Sequence, residues 1–268
     1  MTKEEREKRD NAIIQLCEKM SQKDVGKVFN LTQSGVGIIL RKHGVKLKKS
    51  RLNLSKLSLD VNYFEKIDTP KKAYWLGFIT ADGGINKNNS KLSICTADLE
   101  ILEKFKNDIQ SEHKISEINN FDKRTNKIYH EYSIQVTNEI FVSNIVKWGI
   151  TNNKTDICNP PQLTEELYPF FIAGLFDGDG SVSLVKGKLR CNLISTKEIL
   201  DFIDDFLLKK IGILPCKKIK ITENKDNVYK QYWYKNGLKF LEFIYQGDSK
   251  IYLTRKYKKY KNYVQQSK

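Results

Sequence analysis

The stretches YWLGFITADGG (Tyr74–Gly84) and FIAGLFDGDGS (Phe171–Ser181) repeat one pattern, an apolar run that ends in an aspartate followed by glycine. Asp179 follows Asp82 by 97 positions (179 − 82). Runs of this kind predict buried helices, and both place a carboxylate at the C-terminal end, where the backbone dipole disfavours negative charge. Aspartate before glycine is common at helix ends, because glycine supplies the left-handed residue of a C-cap. The presence of two copies in one chain favours a chemical role for the two aspartates.

The segments around the two runs also correspond. LSICTADLEILEKF after the first run resembles CNLISTKEILDFIDDF after the second, and YSIQVTNEIFVSNI resembles YWYKNGLKFLEFIY in the same order. The period of the apolar residues gives each copy the order helix, strands, helix, strands, helix. The sequence therefore predicts an internal duplication and a pseudo-two-fold molecule.

Small residues line one face of each predicted helix. They stand four positions apart, and they are Gly77 and Ala81 in the first helix and Gly174 and Gly178 in the second. Such a stripe lets another backbone approach closely. We therefore expect the two helices to pack against each other, which brings Asp82 and Asp179 together.

Two adjacent carboxylates at the negative ends of two helices repel each other unless a cation lies between them. Carboxylate oxygens with no histidine or thiolate nearby suit Mg²⁺ or a similar ion such as Mn²⁺. Mg²⁺ held by two acids and by substrate phosphates is an arrangement typical of phosphoryl transfer. Asp82 and Asp179 are therefore the candidate metal ligands and catalytic residues.

The charge balance favours a polyanionic partner. The 268 residues include 47 lysines and arginines against 32 aspartates and glutamates, a formal net charge of +15, which suits nucleic acid or an acidic membrane face. No apolar run approaches the roughly 20 residues of a membrane span and no targeting signal is present, so we expect a cytoplasmic or organellar-matrix protein. The five cysteines are scattered and the three histidines lack metal-site spacing, which argues against disulfides, a zinc site and histidine catalysis.

The N-terminal residues predict three short helices in a domain over 1–51, and Thr32 is a natural N-cap for the third helix. The segment resembles a helix-turn-helix, in which the start of the third helix would meet base edges in the major groove. The candidate base contacts are Gln33, Ser34 and Val36, and the candidate phosphate contacts are Arg41, Lys42, Lys46, Lys48, Lys49 and Arg51. A small helical bundle with a solvated basic end is the alternative. Residues 52–69 predict a linker.

The strings WLGFITADG and IAGLFDGDG resemble the two signature motifs of the LAGLIDADG homing endonucleases, in the form with two motifs per chain. The second copy is close to the consensus, and the first departs from it at Trp75, Leu76 and Thr80. The eighth motif position, which is the metal-binding acid of the family, is Asp82 in one copy and Asp179 in the other. The resemblance places the two repeats at 70–158 and 159–268.

This resemblance implies an α+β fold, in which two pseudo-symmetric αββαββα repeats form a DNA-binding saddle after a small all-α helix-turn-helix domain. It implies a monomeric, intron-encoded type of enzyme that cleaves both strands of a specific double-stranded DNA site with Mg²⁺ or Mn²⁺ between Asp82 and Asp179. It also implies polar or basic side chains that order water near the scissile phosphates. The candidates are Lys235 in the second repeat and Gln135 in the matching region of the first. Neither a membrane nor an obligate protein partner is expected.

The strands offer candidate DNA contacts. In KGKLRCNLI the residues alternate, so that one face carries Lys186, Lys188, Arg190 and Asn192 and the other carries Leu189, Cys191 and Leu193. In the first repeat, GGINKNNSKLSI offers Asn86, Lys87 and Lys91 near the equivalent positions. A strand with one cationic face and one apolar face suits a sheet that reads DNA, and an ordinary solvated face is the alternative for each residue.

Two other functions stay open at this stage. A regulator led by the helix-turn-helix would use the same scaffold to bind DNA without cleaving it, although both acids are retained. An RNA maturase that assists intron splicing would use the same saddle, and the sequence does not separate it from an endonuclease.

Overall fold

The computed structural model describes residues 2–17, 20, 22–45, 57–122, 126–152, 157–221, 227–246 and 251–266. The chain divides into two compact units, Met1–Leu54 and Ser55–Lys268. The boundary between the units lies inside the predicted linker. Among the described residues, no helix is long and apolar enough to cross a membrane.

The second half of the predicted linker is part of the second unit. Tyr63, Phe64 and Ile67 are buried in the core of that unit. The indole N–H of Trp148 donates a 2.8 Å hydrogen bond to the backbone carbonyl of Phe64. The prediction of a linker over 52–69 is therefore wrong for these residues, because their apolar side chains pack as core residues despite the lack of a clear period.

The described part of the first unit contains three helices, α1 (Lys3–Cys17), α2 (Gln22–Phe29) and α3 (Gln33–Lys42). Residues 30–32 join α2 to α3, and Asn30 adopts a left-handed φ of 55° in this turn. Thr32 is the N-cap of α3, as predicted, and its hydroxyl accepts a 3.1 Å hydrogen bond from the N–H of Gly35. The core of the unit consists of Ile13, Cys17, Val25, Val36 and Leu40.

The second unit contains two copies of one arrangement. The first comprises α4 (Pro70–Asp82), β1 (Gly83–Ile85), β2 (Lys91–Thr96), α5 (Leu99–Asp108), β3 (Ile115–Asp122), β4 (Lys127–Thr137) and α6 (Glu139–Val146). The second comprises α7 (Tyr168–Asp179), β5 (Gly180–Val185), β6 (Lys188–Thr196), α8 (Lys197–Ile211), β7 (Lys218–Lys220), β8 (Val228–Trp233) and α9 (Gly237–Tyr245), and a closing helix, α10 (Thr254–Gln266), follows. The sheets are antiparallel, with strand orders β1-β2-β4-β3 and β5-β6-β8-β7. The predicted duplicated αββαββα fold is confirmed.

Helices α4 and α7 pack directly on each other through their glycines. A Cβ on Gly77 would overlap the carbonyl oxygen of Phe171, and a Cβ on Gly174 would overlap the carbonyl oxygen of Tyr74. A Cβ on Gly178 would overlap the side chain of Ala81. The small-residue stripes therefore set the distance between the two helices, as the sequence predicts.

Both helices run straight into a strand. Gly83 and Gly180, which follow the motif aspartates, have extended backbones with φ of −76° and −84°. They are therefore not the left-handed C-caps that the usual aspartate–glycine pattern would give. Each glycine instead avoids a clash, because a Cβ on Gly83 would lie 2.6 Å from the carbonyl oxygen of Ile79, and one on Gly180 would overlap that of Phe176.

Candidate active site and nucleic-acid interface

The motif aspartates are the last residues of α4 and α7. Asp82 is partly exposed and Asp179 is exposed. A Cβ built on Gly178, the neighbour of Asp179, would lie 3.4 Å from the carboxyl carbon of Asp82 and 3.5 Å from its Oδ2. The crossing of the two helices therefore brings the carboxylate of Asp82 against Gly178, the residue that precedes Asp179.

The protein supplies two carboxylates at this point. Within the described ranges, no group of three or more histidine, cysteine, aspartate or glutamate side chains is arranged to hold a metal ion. The carboxylates that end α4 and α7 belong to Asp82 and Asp179. Two hard oxygen donors suit Mg²⁺ or Mn²⁺, which take their remaining ligands from water and phosphate.

A third motif carboxylate, Asp177, is buried beneath the site and has only 1% of its surface exposed. It accepts hydrogen bonds from the hydroxyls of Tyr74 (2.8 Å) and Tyr245 (2.7 Å) and from the N–H of Leu253 (2.8 Å). Burial raises the pKa of Asp177, and these donors oppose that rise. Asp177 thus joins α4, α7, α9 and the segment before α10.

Lys256, on α10, lies under the end of α7 and is 3% exposed. Its Nζ donates to the backbone carbonyls of Phe176 (2.8 Å), Asp177 (2.6 Å) and Gly178 (3.3 Å). Burial lowers the pKa of Lys256 to about 8, and the carboxylates of Asp177, Asp82 and Asp179 oppose this shift. Neither Asp177 nor Lys256 is among the site residues predicted from the sequence. The sequence does contain a signal for Asp177, because it is an aspartate inside an otherwise apolar helix.

In the second repeat, the exposed face of the sheet is basic and aromatic. Lys188, Arg190 and Asn192 alternate with three buried residues, as predicted, and the buried residues are Leu189, Cys191 and Leu193. The guanidinium of Arg190 lies 5.3 Å from the ring centre of Tyr234. Lys186 is not in a strand, because it lies in the turn between β5 and β6 with a φ of 50°.

The pairing of cations with aromatic rings continues along β8. The ammonium of Lys230 lies 5.1 Å from the ring centre of Tyr232. The rings of Tyr232 and Tyr234 are stacked, with centres 5.2 Å apart. This face therefore offers cationic groups and exposed ring surfaces, which are the groups that contact nucleic-acid phosphates and bases.

The corresponding face of the first repeat is different. Asn86 forms a turn, because its side-chain oxygen accepts hydrogen bonds from the N–H groups of Ser90 (2.9 Å) and Lys91 (3.0 Å). Lys87 is exposed in this turn, and the ammonium of Lys91 lies 3.4 Å from Oε1 of Gln135. The side chain of Asn86 is thus partly occupied within its own turn, whereas Lys87 is exposed and Lys91 is half-buried beside Gln135.

The strand register corrects the match between Gln135 and Lys235. In the first sheet Gly83 pairs with Ile94, which pairs with Ile134 on its other side. In the second sheet Gly180 pairs with Leu193, which pairs with Gln231. The counterpart of Gln135 is therefore Tyr232, while Lys235 corresponds to Asn138, which caps α6. Gln135 is exposed on β4 and Lys235 is exposed in the bend between β8 and α9. The two side chains do not occupy equivalent places in the two repeats.

Of the five predicted contacts of the first unit that the structure describes, four are exposed. Gln33, Ser34, Arg41 and Lys42 are exposed on α3. The prediction for Val36 is wrong, because its side chain is 0% exposed and packs in the core of the bundle. Lys46, Lys48, Lys49 and Arg51 lie outside the described residues.

Residues 166–249 match the family model described as LAGLIDADG-like domain. The second repeat is thus similar to a LAGLIDADG-like domain, and the resemblance of the second motif is confirmed. The comparison with curated proteins gave no match.

Solved structures similar to the chain include the homing endonuclease I-WcaI bound to its DNA recognition sequence. That structure has 15% identity and a TM-score of 0.48, over 74% of this chain and 90% of that chain. The LAGLIDADG homing endonuclease I-GzeII in complex with its DNA target has 15% identity and a TM-score of 0.47, over 74% of this chain and 89% of that chain. The N-terminal LAGLIDADG domain of DUF199/WhiA has 16% identity and a TM-score of 0.45, over 69% of this chain and 87% of that chain.

Proposed function

We propose that the protein is a site-specific, metal-dependent endonuclease of double-stranded DNA that acts as a monomer. The observation that carries this proposal is the approach of Asp82 to the end of α7, where Asp179 lies. Two carboxylates at adjoining helix C-termini repel each other, and a divalent ion bound between them would offset this repulsion.

Asp82 and Asp179 would hold Mg²⁺ or Mn²⁺, with water and DNA phosphate oxygens as the other ligands. When bound, the ion would supply Lewis-acid activation of water and stabilise charge at the scissile phosphate. The protein's part is to hold the two carboxylates in a fixed relation, which the glycine contacts between α4 and α7 do. Lys235 and Gln135 would order water beside the phosphates, each from a different place in its repeat.

The sheets would bind the DNA. In the second repeat, Lys188, Arg190 and Asn192 would contact bases or phosphates from β6, with Lys186 on a phosphate at the hairpin turn. In the first repeat, Lys87 and Lys91 would contact the backbone, with Asn86 mainly shaping the turn. The proposal for the second repeat is the better supported, because its exposed face combines cations with aromatic rings.

The first unit would add contacts through α3. Gln33 and Ser34 are exposed at its N-terminal end, where a helix-turn-helix meets base edges, and Arg41 and Lys42 are exposed at its C-terminal end. Residues 30–32 form the short connection between two helices that this motif requires. The basic residues from Lys46 to Arg51 would supplement the phosphate contacts.

The test starts from a randomised duplex library. The full chain selects bound duplexes in Ca²⁺, and the selected duplex is then incubated with Mg²⁺ and analysed on a denaturing gel. We expect cuts at fixed positions in both strands. We also expect that Asp82→Asn and Asp179→Asn bind the duplex like the wild type but do not cut it.

Two results would overturn this proposal. Selected duplexes that are bound tightly but stay intact in Mg²⁺ and Mn²⁺ indicate a DNA-binding regulator. An Asp179→Asn protein that cuts at the wild-type rate removes the carboxylate pair from the reaction.

A further inference from the structure

The last backbone carbonyls of α7 need hydrogen-bond donors that the motif itself does not supply. The last carbonyls of a helix lack partners within the helix, and their partial negative charge adds to that of nearby carboxylates. In α7 these carbonyls directly precede Asp179. The N–H of Gly180 bonds to the carbonyl of Phe176, so the carbonyls of Asp177 and Gly178 need donors from elsewhere.

The ammonium of Lys256 is such a donor. Its three protons match three carbonyls, those of residues 176, 177 and 178, and the distances are 2.8, 2.6 and 3.3 Å. Hydrogen bonds from a charged donor are shorter and stronger than neutral ones. The ammonium of Lys256, on α10, therefore fixes the last turn of α7.

A second contact fixes Lys256 itself. The carboxylate of Asp177 accepts the N–H of Leu253, at the start of the segment that leads into α10. Asp177 thus links α7 to the closing helix twice, because its carboxylate accepts from the N–H of Leu253 and its backbone carbonyl accepts from the ammonium of Lys256. A buried lysine is costly to desolvate, and this cost is offset here by the three carbonyls that accept from its ammonium and by the nearby carboxylates.

We propose that Lys256 is a positioning residue of the metal site, which holds the last turn of α7 so that Asp179 stands in register with Asp82. This inference rests on the proposed metal-dependent function. Lys256 donates to the backbone and is not a metal ligand. The closing helix, α10, thereby supports the geometry of the metal site, although it lies outside the two motifs.

The test compares Lys256→Met with wild type in the full chain bound to the selected duplex. Binding of Mn²⁺ is followed by electron paramagnetic resonance of the free ion, and single-turnover cleavage is measured at saturating protein. We expect Mn²⁺ affinity and cleavage rate each to fall by about tenfold or more, as happens when the support of a metal ligand is removed. The Kd for the duplex in Ca²⁺ should stay within about threefold of the wild-type value, because the sheets are not altered.

The direction of the Mn²⁺ effect separates positioning from simple electrostatics. Removing a cation near two carboxylates would by itself tighten Mn²⁺ binding. Unchanged or tighter Mn²⁺ binding by Lys256→Met therefore overturns the inference, even if the variant is less stable. Lys258→Met is the matched control, since Lys258 is exposed on the same helix, and it should bind Mn²⁺ like wild type.

Two further variants complete the design. Lys256→Arg keeps the charge and several donors, and should recover more of the Mn²⁺ affinity than Lys256→Met. If Lys256→Met does not fold, Lys256→Gln replaces it, with the same Mn²⁺ criterion. A Lys256→Arg protein that binds Mn²⁺ no better than the neutral variant contradicts the role of the charged donor.

The outcome for Lys256 can be told apart from that of the proposed function. A wild-type protein that binds Mn²⁺ through Asp82 and Asp179 but cuts nothing refutes the endonuclease proposal, and the Mn²⁺ comparison still decides on Lys256. A wild-type protein that cuts, together with a Lys256→Met variant that binds Mn²⁺ normally, refutes only the inference about Lys256.

Discussion

Replacing Gly174 with alanine should destabilise the second unit substantially. The added Cβ would overlap the carbonyl oxygen of Tyr74 and lie 2.8 Å from the backbone nitrogen of Phe78. Both obstacles are backbone atoms of α4, so no side-chain rotation relieves the overlap and the helices must separate. Overpacking a dense core costs about 1–3 kcal/mol or more, and alanine regains about 1 kcal/mol as a better helix former. With an overlap this severe we expect a net loss of about 2 kcal/mol or more.

Guanidinium unfolding followed by tryptophan fluorescence measures this loss. All three tryptophans, Trp75, Trp148 and Trp233, belong to the second unit, so the signal reports that unit alone. Gly37→Ala is the control, because a Cβ there would meet only the side chain of Gln22, at 3.5 Å. This control should leave the fluorescence transition unchanged. A Gly174→Ala transition within about 0.5 kcal/mol of wild type would refute the reasoning about the helix crossing.

Three further predictions concern binding and pH. Arg41→Ala combined with Lys42→Ala should reduce the slope of log affinity against log salt by about 0.9 for each phosphate that is no longer neutralised, and an unchanged slope argues against the role of the first unit. Arg190→Ala should weaken duplex binding by about 1–3 kcal/mol and relax the base preference in a repeated selection, and a preserved preference excludes a base contact. Because burial lowers the pKa of Lys256 to about 8, the unfolded chain binds more protons there between that pH and about 10. Urea unfolding should therefore show the stability of wild type relative to Lys256→Met rising over this range, and a constant difference contradicts the lowered pKa.

The crossing of α4 and α7 is predictable from sequence, because both the apolar period and the small residues that permit close approach lie within one short stretch. Gly77 and Gly174 meet the carbonyls of Phe171 and Tyr74 as such stripes require. The alternation on β6 is equally readable, since a strand with one buried face has a strict period of two.

Other parts of the site depend on long-range packing that no local pattern contains. Lys256 meets carbonyls nearly eighty positions earlier in the chain, and a lysine in a basic segment gives no sign that it is buried. Gln135 and Lys235 are not equivalent positions in the two repeats. The alignment of the two sequence segments differs from the alignment that the strand pairing gives. Val36 is buried rather than exposed because the face that it occupies on α3 depends on how the bundle packs.

The central claim is that Asp82 and Asp179 jointly hold a divalent ion against the DNA. The most direct measurement is anomalous diffraction from a crystal of the full chain with its selected duplex and Mn²⁺. We expect an anomalous peak within about 2.3 Å of carboxylate oxygens from both residues and of a phosphate oxygen. A peak that contacts only one of the two aspartates, or no peak between them at saturating Mn²⁺, would contradict it.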